Sequence, residues 1–270
     1  MIPIKHARKI ISSLFVPISF FFFPLWLFSA STACFYYFNP DSPQSNMSRL
    51  KEAMDNLLAF GNIPLVFQPF TKLSDFDRKV REEAPDFLLL PEWYLKQDGN
   101  EKRFEAFLAP VRNGNTTYRK ILLVAQDSSL SIQDLAQETI AMTPMGAAGL
   151  EDLDKVIFQK HGLDSKKLNF VTTAKDSDAL FALALRQVKA ALVSEDNLDH
   201  FGAINPRILQ TVKQLAISDP IPLPLLCYNK EIAGKDEVEK LKSLFLKGKI
   251  DGGTAKIMEM LHIDAWQTIN

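Results

Sequence analysis

Short apolar runs alternate along this chain with segments of helical periodicity, and that alternation limits the fold more than any other feature. The run Asp86-Phe87-Leu88-Leu89-Leu90 is too short for a helix and has no polar face, and Ala190-Ala191-Leu192-Val193-Ser194 is alike. Both read as strands covered on two sides. Further strands are predicted over 35–38, 64–70, 104–111, 118–126, 139–143 and 168–173. Helices are predicted over 47–60, 73–80, 131–137, 149–161, 176–187, 198–212, 236–247 and 254–261, followed by a tail. In the first of these Leu50, Met54, Leu57 and Leu58 share one face. Asn113-Gly114-Asn115 carries a hairpin signal between two of the strands, and Pro220, Pro222 and Pro224 force an extended segment. Strands alternating with helices imply a mainly parallel sheet covered on both faces, with ligands at the carboxyl ends of the strands. The loops to watch are therefore 39–42, 91–94, 144–148, 173–176 and 194–197.

The N-terminus has the three parts of an export signal: a basic flank (Lys5, Arg8, Lys9), an apolar run over 10–28, and the small-residue exit Ser31-Thr32-Ala33. Cleavage there makes Cys34 the first mature residue; retention makes the segment a membrane anchor. Either places the body outside the cytoplasm, in the periplasm. Cys34 and Cys227 suit a disulfide in that compartment, or Cys34 a lipid attachment, and both readings stand. The formal net charge is −1 over 270 residues, with no basic tract, which argues against a nucleic-acid partner. The four histidines are scattered in sequence and suggest no metal, and no cofactor motif is present. No nucleophile–base grouping is visible, so an enzyme is not expected.

Segment order and several loose motifs together resemble the phosphate/phosphite/phosphonate-binding subunits of ATP-driven importers. The motifs are Asp86-Phe87-Leu88-Leu89-Leu90-Pro91, then Tyr118-Arg119 opening a strand that ends in Asp127-Ser128, then Asp134-Leu135, then Pro144-Met145-Gly146-Ala147-Ala148-Gly149. The resemblance implies an α/β, two-lobed type II periplasmic binding fold, with mostly parallel sheets flanked by helices and two crossing strands as hinge. It implies a signal over 1–33, one lobe from 34–112 with 226–270, and the other from 113–225. It also implies a monomer that delivers a small-molecule ligand to an ABC permease in the inner membrane.

The chain departs from that family where an oxyanion is gripped. Ala147 and Ala148 stand where the family has hydroxyl side chains, and Ser177 stands where it has a histidine. Alanine donates nothing through its side chain, and each lost charge-assisted bond costs about 1.5–3 kcal/mol. The expected ligand is therefore organic and partly apolar. The alternatives are an oxyanion held by backbone N–H groups, and a membrane-anchored sensor. Candidate ligand contacts are Tyr37, Asn39, Glu92, Trp93, Tyr94, Met145, Gly146, Ala147, Ala148, Ser177, Ser194 and Glu195. Two of these features have structural readings of equal weight. Trp93 and Tyr94 suit packing under a helix, and Gly146–Gly149 suits a tight turn.

Overall fold

The aromatic run Phe35-Tyr36-Tyr37-Phe38 lies in strand β1 (Cys34–Phe38) and is buried on both of its faces. A computed structural model describes residues 33–42, 46–247 and 252–269; the expected signal through Thr32 lies outside them. From β1 the chain runs through α1 (Met47–Phe60), β2 (Val66–Phe70), α2 (Leu73–Glu83), β3 (Phe87–Leu90), α3 (Glu92–Lys96) and β4 (Phe104–Val111). It then crosses to β5 (Thr117–Tyr118), β6 (Lys120–Ala125), β7 (Thr139–Met142), α4 (Ala147–Leu153), β8 (Asn169–Thr172) and α5 (Asp176–Ala184). Next come β9 (Ala190–Ser194), α6 (Glu195–Ile204), α7 (Pro206–Leu209) and β10 (Val212–Ile217). The return passes through β11 (Ile221–Pro222) to β12 (Leu225–Asn229), α8 (Lys235–Leu246), α9 (Gly252–Leu261) and β13 (Ala265–Thr268).

These strands build two sheets, one per lobe. The first is ordered β13-β4-β12-β3-β1-β2 and the second β10-β6-β9-β7-β8. Each has an apolar cluster on both faces. Phe35, Leu57 and Phe245 belong to one face of the first sheet, and Phe38, Phe76 and Trp93 to the other. Leu122 and Phe158 flank the second sheet on one side, Leu123 and Leu180 on the other. Burial on two faces explains why Phe87–Leu90 shows no polar alternation. The short pair β5–β11 joins the two crossings in an antiparallel ribbon.

Pairing is mixed. β1 runs parallel to β2 and β3, and β7 to β8 and β9, while β12 and β13 return antiparallel, as do β6 and β10. Four local expectations change accordingly. The Asn113–Asn115 turn has the left-handed residues a hairpin needs, with φ 50° at Asn113 and 74° at Gly114. The turn forms as expected, closed by an antiparallel bridge between Arg112 and Asn115, but beyond it the flanks part: β4 pairs with β12 and β13, and β6 pairs with β9 and β10. The stretch expected as helix up to 212 stops at Leu209, and strand β10 follows; the tail folds as β13 along β4. Residues 92–96 are a helical turn started by Pro91 and Glu92, where a loop was expected. Finally, β3 separates β1 from β12. Cys34 and Cys227 thus sit two strands apart, roughly 10 Å, beyond disulfide reach, and the bridge does not form.

Candidate functional site

Both sheets present strand ends to the space between the lobes. From the first sheet, β1 leads into Asn39–Ser42 and β3 into α3. From the second, β7 leads to Thr143 and Gly146, β9 to Ser194, and the start of the antiparallel β6 places Lys120 beside Ser194. Asp41 is carried across this space by a shaped loop. Asn39 Oδ1 accepts the Asp41 N–H at 3.1 Å, and the Tyr37 hydroxyl is hydrogen-bonded with Asn39 and Ser42.

The Asp41 carboxylate arrives among donors that belong to the second lobe. Lys120 Nζ donates to Oδ1 at 2.7 Å and Thr143 Oγ1 to the same oxygen at 2.6 Å. The Tyr118 hydroxyl donates to Oδ2 at 2.7 Å, and Asn197 Nδ2 to the Asp41 carbonyl at 3.0 Å. Lys120 is fully buried. Burial works against the charged forms of both groups, yet each is held ionised by the other. The Lys120 ammonium and the three hydrogen bonds keep the Asp41 carboxyl below the ordinary carboxylate range, while Asp41 and then Asp176 raise Lys120. Tyr118 is pushed well up, by burial first and by the Asp41 charge second.

Asp176 is the second carboxylate of this cluster. Its Oδ2 accepts from Ser194 N, Ser194 Oγ and Asn197 Nδ2, each at 2.8 Å. Its Oδ1 is buried without a hydrogen-bond partner. One ammonium serves two carboxylates, and Asp176 is raised, by burial first and also by the Asp41 charge, despite the pull of Lys120.

Elsewhere the lobes touch through α3 and α4. A Cβ placed on Gly146 would lie 1.9 Å from Gln97 Oε1 and 3.1 Å from the Trp93 ring, and one on Gly149 3.1 Å from that ring. Trp93 thus packs flush on the glycine backbone of the opposite lobe. Lys96 Nζ reaches Asp152 Oδ2 at 2.9 Å, and Arg112 pairs with Asp196. His200 on α6 meets His262 after α9, ring centroids 5.4 Å apart, although the two lie far apart in sequence.

Among the cavities lined by described residues, two lie beside these contacts. One, about 120 Å³, is lined by Trp93, Met145, Leu153, Val156, Ile221 and Pro222 and by the charged Glu92, Lys96, Asp152 and Lys155. The other, about 180 Å³, is lined by Asp176, Ser177, Asn197, His200 and Phe201. A wider open depression of about 810 Å³ has a mixed charged lining that includes Arg49, Asp196, Lys256 and Glu259. Among the described residues, no group of three or more His, Cys, Asp or Glu is placed to hold a metal.

Of the twelve residues singled out from sequence, Glu92, Trp93 and Met145 line the first cavity and Ser177 the second. Gly146 underlies Trp93, and Ala147 and Ala148 start α4 next to it. Tyr37 and Asn39 shape the loop that presents Asp41, and Ser194 binds Asp176. Glu195 donates its backbone N–H to Arg119 at 2.9 Å. Tyr94 points away: its hydroxyl donates to Asp77 on α2 at 2.9 Å and its ring packs edge-on to Phe76. Sequence reading marked the loops that carry Asp41, Asp176 and Asn197 without singling out those residues, and did not name Tyr118, Lys120 or Thr143 as contacts.

A family model described as the periplasmic substrate-binding protein of a phosphonate ABC transporter matches residues 35–270. Among solved structures, a binding-protein component of an ABC phosphonate transporter from Pseudomonas aeruginosa superposes with a TM-score of 0.71 at 16% identity, covering 88% of this chain and 81% of that one. A Prochlorococcus marinus protein in complex with methylphosphonate gives 0.70 at 10% identity, covering 89% and 93%. A Xanthomonas citri protein bound to ATP gives 0.68 at 10%, covering 89% and 92%. At these identities the likeness is one of fold. No curated protein matches the chain by sequence.

Proposed function

The chain belongs to the family of periplasmic substrate-binding proteins of ABC phosphonate transporters, and on that premise we propose that it captures a small organic, partly apolar solute between its lobes and hands it to an ABC permease. The observation that carries this reading is the contact between Trp93 and the Gly146–Gly149 turn. The turn offers no side-chain donors, and an indole covers it where an oxyanion would need open access to backbone N–H groups. The cavity beside it is lined by Met145, Leu153, Val156, Ile221 and Pro222 together with the charged Glu92, Lys96, Asp152 and Lys155. Such a lining holds an apolar body and leaves one or two polar handles for orientation.

The fold suits this task physically. Two connections join the lobes, and they pair with each other in the β5–β11 ribbon, so the lobes can rotate about one locus. Closure covers the solute with surfaces from both lobes, and a permease can read the closed shape. Native mass spectrometry of the protein freshly isolated from its host tests the proposal. A retained organic compound with substantial apolar surface is the expected result. Retained inorganic phosphate or a short phosphonate would overturn it.

A further inference from the structure

We propose that Tyr118, Lys120 and Thr143 form an oxyanion seat that the chain fills with its own Asp41 carboxylate, and that the acidic head of a cleft solute enters by displacing it. The ligand class is a small carboxylate-like oxyanion. The geometry is that of a bound ligand. Three side-chain donors, Lys120 on the second sheet, Thr143 just after its strand β7 and Tyr118 on the hinge ribbon, converge on the two oxygens of a carboxylate from the first lobe, at 2.6–2.7 Å. Lys120 heads the otherwise apolar strand β6 and is fully buried; its Nζ also lies 3.4 Å from Thr143 Oγ1. A buried ammonium in such a strand does nothing for packing, since leucine would fill the space at less cost. Its position is accounted for by an anion, and Asp41 supplies one from the facing lobe.

Two consequences follow. The lobes close without solute, because the anion that draws them together is tethered. A free anion competes with a carboxylate held at high effective concentration, so its apparent affinity falls by the fraction of molecules with Asp41 in place. The inference deepens the reading above only in naming the handle by which a solute is held. The seat itself is tested on solute-free protein with acetate as probe, so it stands or falls separately from the identity of the natural solute.

The experiment is chemical rescue. Asp41→Ala removes the ion-pair partner of a buried ammonium and leaves it only the charge of Asp176 nearby, and the melting temperature is expected to fall by about 10 °C. Sodium acetate, but not sodium chloride at equal ionic strength, should restore at least half of that loss. Acetate should bind Asp41→Ala on the order of 100-fold more tightly than the parent. Adding Lys120→Met should abolish the acetate effect. Asp41→Asn keeps the side-chain size and covers the case in which the alanine variant does not accumulate. Solution X-ray scattering without solute should show a compact parent and a more open Asp41→Asn. The proposal is overturned if acetate leaves Asp41→Ala unchanged, if rescue survives Lys120→Met, or if parent and Asp41→Asn scatter identically.

Discussion

Substituting Gly146 by alanine adds one methyl group at a point where the two lobes touch. The backbone there has φ −69° and ψ 177°, open to any residue, so the change brings no conformational strain of its own. Its cost comes from two neighbours, Gln97 Oε1 at 1.9 Å and Trp93 Cζ3 at 3.1 Å from the new carbon, and both belong to the opposite lobe. The Gln97 oxygen has no hydrogen-bond partner to lose, so the carboxamide can swing aside. The Trp93 ring is packed against Tyr94 and has less freedom. Overpacking of this kind costs about 1–3 kcal/mol. A value near 2 kcal/mol changes the ratio of closed to open molecules by roughly 30-fold. That penalty should fall on closure and leave each lobe's own folding untouched. Scattering of the solute-free protein should show opening, and adding Gln97→Ala should recover less than half of the effect, since the stiffer Trp93 ring carries most of it. A Gly146→Ala protein that closes as the parent does, or a double variant with full recovery, would refute the argument.

Asp176 and Asp41 should respond to pH in opposite senses. Asp176 is raised in the folded state, so its favourable contribution is complete below the unfolded value near 3.9 and is lost as pH rises through the folded one. Asp41 is lowered, so its contribution is present above that value and is lost as pH falls. The melting temperature of Asp176→Asn relative to the parent should therefore improve as pH rises from 4 to 7, while that of Asp41→Asn should improve as pH falls below 4; a relative melting temperature that is flat in either window would contradict the assignment. Tyr94→Phe should cost about 1 kcal/mol through its bond to Asp77 and leave solute affinity unchanged, as melting and titration calorimetry would show.

The lobes' parts were readable where period and punctuation agree. Leu50, Met54, Leu57 and Leu58 place α1 against the first sheet, and the wholly apolar Phe87–Leu90 is a covered strand. The direction of pairing was not readable, because an apolar strand offers the same side chains to a parallel or an antiparallel neighbour. Hence Asn113–Asn115 carries sound turn chemistry between strands that belong to different sheets. The heart of the cleft was missed for a related reason. Asp41 lies in Asn39-Pro40-Asp41-Ser42-Pro43, where every residue suits a turn. Lys120 did carry a signal, as the second of two cations, Arg119 and Lys120, that lead into Ile121-Leu122-Leu123-Val124-Ala125. A lysine buried there demands an anion opposite, but only the folded chain says which carboxylate answers.

The order of the first sheet also dictates an order of events. β12 lies between β4 and β3, and β13 covers the far side of β4. A newly made chain therefore holds β1 to β4 with a gap in the middle of their sheet until its last fifty residues or so arrive. The second sheet draws all its strands from one uninterrupted stretch, β6 to β10. It can be complete while the other is still a pair of fragments with Phe87 and Leu89 uncovered. The slow step in making this molecule is then the insertion of a late central strand, and the half-built first lobe is the species that most needs protection from aggregation.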